Sequence, residues 1–83
     1  MAVNINRIWK NCIECEIIYV GHTDLGKYES SLGNFNFFEL PRKGEEIHII
    51  GWELCEVTHV KHCFFKRSGE EVYTEVKPTI YVK

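Results

Sequence analysis

Aspartate occurs once in this chain of eighty-three residues, as Asp24, and proline only twice, as Pro41 and Pro78. No apolar run approaches the roughly 20 residues that a membrane-spanning helix needs. The start, Met1-Ala2-Val3-Asn4-Ile5-Asn6-Arg7, lacks the charged, apolar and small-residue regions of a secretory signal. That absence predicts a cytoplasmic protein, with its four cysteines reduced rather than stapled into a disulfide framework. The chain holds no Gly-x-Ser-x-Gly elbow and no phosphate-cradling glycine motif. Neither sign of charge is in excess: the formal net charge is −2, and acidic and basic residues alternate along the length. A dedicated nucleic-acid binder draws most of its affinity from clustered Lys and Arg neutralising phosphate, so this balance argues against one.

What remains is a composition suited to one small core. Hydrophobic residues make up 45% and aromatics 13% of the chain, too rich for disorder. Residues 1–83 are read as a single domain, because a chain this short buries only roughly 60% of its unfolded surface and has no room for a second core.

Residues 8–20 alternate with a period of two. Trp9, Asn11, Ile13, Cys15, Ile17 and Tyr19 fall on one side, with Lys10, Cys12, Glu14, Glu16 and Ile18 on the other. That pattern marks a half-buried antiparallel strand, expected over 9–20. Gly21–Gly33 interrupts it with three glycines and reads as a loop, with room for one short helical turn capped by Asp24. Phe35–Leu40 reads as extended, and Pro41-Arg42-Lys43-Gly44 as a turn. Strands are expected over 45–50, with Ile47 and Ile49 inward, and over 52–65, then 71–77 and 79–82, with Lys66-Arg67-Ser68-Gly69 as a hairpin loop. Within 52–65 the apolar positions change phase, from Cys55 and Val57 to Val60 and Phe64. A regular strand would have to bury His59 and Lys61, so the sequence predicts a β-bulge at Thr58-His59.

The fold class expected is all-β, a small antiparallel barrel of five or six strands, partly closed. Leu40-Pro41-Arg42-Lys43-Gly44-Glu45-Glu46-Ile47, Val57-x-x-Val60-x-His62 and Pro78-Thr79-Ile80-Tyr81-Val82 together resemble small uncharacterised bacterial proteins with SH3-like barrels. The resemblance covers residues 40–83; it implies a fold and no activity.

Three constellations bear on chemistry. Cys12-Ile13-Glu14-Cys15 has half of a zinc-site spacing, and Cys55, His59, His62 and Cys63 offer further ligands. Residues three apart on a strand point to opposite sides, however, so Cys15 and Cys55 read as small core residues and no metal is expected. His22 and Asp24 share a segment and are a conceivable base and orienter, but such residues also favour turns. Third, Lys61, His62, Lys66 and Arg67 gather with Phe64, Phe65 and Tyr73 around one hairpin. Aromatics interleaved with cations suit either a peptide groove or stacked bases, while a charged hairpin tip also keeps an edge soluble.

The expectation is therefore a non-enzymatic interaction module without cofactor. Its partner is a protein or peptide, self-association included, and no membrane. Its binding residues are Lys61, His62, Phe65, Lys66, Arg67 and Tyr73. The alternative is a single-stranded nucleic-acid binder on the same surface; a metal or thiol-redox protein comes third.

Overall fold

Ile13, Cys15, Ile17 and Tyr19 alternate with Glu14, Glu16 and Ile18, which gives an extended segment one apolar side. In the computed structural model, which describes residues 12–83, they form β1 (Ile13–Thr23). Residues 9–11 of the expected first strand, Trp9 and Asn11 among them, lie outside the described residues. Four further strands follow: β2 (Gly26–Phe37), β3 (Glu46–His48), β4 (Leu54–Phe65) and β5 (Thr74–Val82). The described residues contain no helix.

The loop expected over Gly21–Gly33 is instead the turn and first half of a hairpin. Thr23 pairs with Gly26 around Asp24-Leu25. The Thr23 hydroxyl accepts from the Leu25 N–H at 3.2 Å and donates to the Gly26 carbonyl at 3.3 Å. Asp24 thus sits in a tight turn and caps no helix. The glycines that obscured the strand have separate causes. Gly21 lies buried in β1 beneath the Tyr28 ring, which a Cβ there would strike. Gly33, at φ +110°, sits in a bulge where Ile17 pairs with Gly33 but Ile18 with Ser31, leaving Leu32 as the extra residue.

The sheet order is β2-β1-β5-β4-β3. The pairs β1–β2, β4–β5 and β3–β4 are antiparallel, whereas β1 and β5 run parallel from Glu16↔Thr79 to Tyr19↔Val82. The fold is therefore all-β, but its one sheet is mixed, with β2 and β3 as its two edges, and is not closed. The two strands expected at 71–77 and 79–82 are one, running through Pro78, while residues 71–73 belong to the connection before it. Pro78 has no N–H to give a ladder, and the parallel pairing begins at the residue after it.

One side of this sheet carries the core. Cys15, Ile17, Cys55, Val57, Ile80 and Val82 are fully buried, and Ile13, Tyr19, Leu32, Phe35, Phe37, Leu40, Ile47, Ile49 and Val60 pack against them. Ile47 and Ile49 point inward from β3 and its connection as the alternation predicts, with Glu46 and His48 exposed. The segment joining β2 to β4 is held by backbone bonds from Gly44 N–H to the Val57 carbonyl at 2.8 Å and from Val57 N–H to Glu45 at 2.9 Å. The chain spreads over 45 × 45 Å and is only 19 Å through, so the core is thin.

The expected bulge in β4 is present. Val57 pairs with Val82 and His59 with Tyr81, which leaves Thr58 as the extra residue. The Thr58 hydroxyl donates to the Tyr81 carbonyl at 3.1 Å. His59 and Lys61 are exposed while Val60 returns to the core. Phe64, expected inward, is 57% exposed. A second register shift, between Lys61 and Cys63 against Thr79 and Val76, changes the phase again, and the strand there has run past the core.

Candidate functional site

Because β1 pairs with β5 only through residues 79–82, the β4–β5 hairpin beyond Thr79 has no strand on its other side among the described residues. It leaves the sheet as a two-stranded ribbon, paired Cys63↔Val76, Phe64↔Glu75 and Phe65↔Thr74. Its connection turns at Arg67-Ser68-Gly69-Glu70, closed by the Glu70 N–H to the Arg67 carbonyl at 3.1 Å. All six residues expected to bind, Lys61, His62, Phe65, Lys66, Arg67 and Tyr73, lie on this ribbon and all are exposed.

The structure brings them together in pairs. The Lys66 ammonium stands over the Tyr73 ring at 5.9 Å, and the Arg67 guanidinium over the Phe65 ring at 5.7 Å, within the range where a cation is attracted to a ring face. His62 Nδ1 lies 3.2 Å from Glu75 Oε2 across the ribbon, an exposed pair of small energetic weight. Lys61 pairs with Thr79 at the ribbon's root. Phe64 stands beside the group at 57% exposure, and Val72 and Val76 join it unforeseen, at 68% and 41%. The signal for Val76 was its even phase on β5, shared with Ile80 and Val82. That phase is inward along the core and outward once the ribbon has left it.

The sheet side away from the core carries a polar set. His59 stacks on Tyr81, with ring centroids 4.2 Å apart and planes 11° from parallel. Lys77 Nζ donates to Asn34 Oδ1 at 2.6 Å and Ser31 Oγ to Glu16 Oε2 at 2.8 Å, tying β5 and β1 to β2 side chains.

The buried thiols are as expected. Cys15 is 0% and Cys55 2% exposed. Burial, with Glu75 and Glu14 adding to it, pushes the Cys15 thiol up. Burial also pushes up Cys55, against a smaller opposing hydrogen bond from the Trp52 side chain. Both thiols are therefore protonated and poor ligands. Among the described residues no group of three or more His, Cys, Asp and Glu is placed to hold a metal ion. His22 and Asp24 are both exposed at the β1–β2 turn.

A second cluster was not anticipated from the sequence. Tyr19 of β1 meets Tyr28 of β2 with ring centroids 6.3 Å apart and tilted 56°, and meets Trp52 at 6.4 Å and 76°. Tyr28 had been placed in a loop and Trp52 in a strand, so no pattern put them together. With the structure described, comparison with known proteins adds nothing: no protein-family model, curated protein or solved structure matches this chain.

Proposed function

We propose that this chain is a cytoplasmic, non-enzymatic interaction module whose β4–β5 ribbon docks an extended segment of a protein partner. The observation that carries the proposal is the ribbon itself, which presents Phe64, Val72, Tyr73 and Val76 to solvent on an element that contributes little to the core. Exposed apolar side chains grouped on a projecting element mark an interaction surface more often than scattered ones do. Lys66 and Arg67 lie against Tyr73 and Phe65, so their charged ends are already held beside the apolar groups and lose less freedom on binding. That arrangement suits a segment in which carboxylates alternate with aliphatic side chains.

Single-stranded nucleic acid is the weaker reading of the same surface. Lys61, Lys66, Arg67 and Lys77 are set against Glu70, Glu71 and Glu75 on one ribbon, and one net positive charge gives little attraction for phosphate. The ring faces that would stack bases already carry the chain's own cations. The SH3-like relationship suggested by residues 40–83 stands as a proposal of the same kind. It is supported by the all-β fold with its bulged β4, and it adds no ligand.

The test is an NMR titration of the labelled protein with an extended Glu/Leu-alternating peptide and, separately, with oligothymidylate. Saturable shifts confined to amides 61–76 with the peptide, lost in a Phe64→Ser/Tyr73→Ser variant that melts at the wild-type temperature, are expected. Shifts with oligothymidylate alone, weakening steeply with salt, would replace the proposal with the nucleic-acid reading. No shift at 61–76 with either probe would end both.

A further inference from the structure

The Tyr19–Tyr28–Trp52 cluster encloses a space that the ribbon does not share. A cavity of about 400 Å³ is lined by Tyr19, Tyr28, Gly51, Trp52 and Glu53. Tyr28 and Trp52 leave 45% and 49% of their surface open, although both rest on the half-buried Tyr19. Each wall has its own structural cause. Gly21 has no Cβ, and the Tyr28 ring occupies the place where one would stand. Gly51 adopts φ +88° in the turn between β3 and β4, a backbone state that other residues seldom reach, and the Trp52 N–H closes that turn on the Ile49 carbonyl at 2.8 Å.

Two rings inclined to a third, with an acidic residue in the lining, are the chemistry that holds an alkylated ammonium. The ring faces attract the positive charge, and their carbon surfaces cover its methyl groups. An unmodified ammonium holds water on its three N–H donors and must give up part of that hydration to reach the ring faces, so it gains less there than an alkylated ammonium does. Among the described residues, the two recorded contacts of Lys or Arg with a ring are those on the ribbon. Neither involves these three aromatics.

The source of the cation follows from what adjoins the cavity. Trp52 also borders a second cavity of about 340 Å³, lined by Ser30, Ser31, Leu32, Phe35 and Ile49. This cavity continues along β2, which among the described residues is an edge strand with its outer backbone unpaired in the sheet. A free small cation would use only the aromatic cup. A peptide laid along β2 would place a side chain in the cup and an aliphatic neighbour against Leu32, Phe35 and Ile49. We infer that the Tyr19–Tyr28–Trp52–Glu53 cup binds a methylated lysine side chain presented by an extended peptide lying along β2. Glu53 accepts the N–H that a dimethylated lysine retains. This site shares no residue with the ribbon, and it does not depend on the ribbon's role.

The test titrates the whole chain with one lysine peptide in four forms: unmodified, dimethylated, trimethylated, and a neutral analogue with carbon in place of the trimethylated nitrogen. Tetramethylammonium is titrated beside them. The methylated forms are expected to shift the Trp52 indole and amides 19–21, 28–32 and 51–53 saturably. They should bind about tenfold tighter than the unmodified and neutral forms, the size of a desolvated cation–ring contact. Gly21→Ala keeps all three rings but drives Tyr28 out of place, and should abolish binding. Exposed Glu53→Gln, which leaves the core untouched, should weaken the dimethylated form more than the trimethylated one. Equal binding of the neutral analogue would reduce the cup to a plain apolar pocket and overturn the inference. So would tetramethylammonium binding as tightly as the peptide, or the absence of any shift at these positions.

Discussion

The two thiols at the centre of the core set how stability depends on pH. Cys15 and Cys55 are enclosed among Ile17, Val57, Ile80 and Val82. Their thiols are pushed above the ordinary value of 9.0, mainly by burial. Below 9.0 both folded and unfolded chains keep these protons, and the core contributes its full stability. As pH rises past that value the unfolded chain ionises first, the folded state then holds more protons, and stability falls until the folded thiols also titrate. Urea unfolding at a series of pH values should therefore show a stability that declines in the alkaline range. The decline should be shallower in a Cys15→Ala/Cys55→Ala variant. An unchanged alkaline slope in that variant would mean that other groups cause it.

Among the elements, β4 does two jobs, and the extra residue at Thr58 separates them. Before the bulge, Cys55 and Val57 face the core; after it, Val60 does. Deleting Thr58 would shift every later residue by one, bringing His59 or Lys61 toward the apolar side. We expect the deletion to abolish cooperative unfolding. Thr58→Val keeps the bulge and removes only the hydroxyl bond to Tyr81, and should cost about 1 kcal/mol. Val60→Asp should unfold the domain by placing an unpaired carboxylate against the core, while Lys61→Asp on the exposed side should leave it folded. Circular dichroism melting curves decide each case, and a deletion variant that melts like wild type would show that the register is not fixed by this residue.

Across the whole molecule, a thin sheet places its hairpins at opposite ends. The β1–β2 turn lies beyond the point where β5 stops pairing with β1, and the β4–β5 ribbon lies beyond the point where that pairing starts. Only the middle is stacked on buried side chains. Local opening should follow that gradient: amides of 16–19, 55–57 and 79–82 exchange slowest, while 22–27 and 64–75 exchange fastest, as hydrogen-exchange NMR would measure. Uniform protection along β4 would mean that the ribbon is held by something other than its own ladder.

The period-two alternation of residues 13–19 and 46–49, and the phase change after Val57, determined by themselves the strands, the inward residues and the bulge in β4. Side-chain period and burial are local properties that a sequence displays directly. The hairpin that carries the six ribbon residues was legible too, because a hairpin brings neighbours in sequence together in space. The glycines of 21–33 hid a strand, since a glycine covered by a tyrosine ring, one in a turn and one in a bulge all look alike in a sequence. The parallel pairing of β1 with β5, the open sheet and the aromatic cup were decided by tertiary structure alone. Tyr19, Tyr28 and Trp52 meet only because a bare Cα at Gly21 admits one ring and the turn at Gly51 delivers another, and contacts between such distant residues leave no periodic trace along the chain.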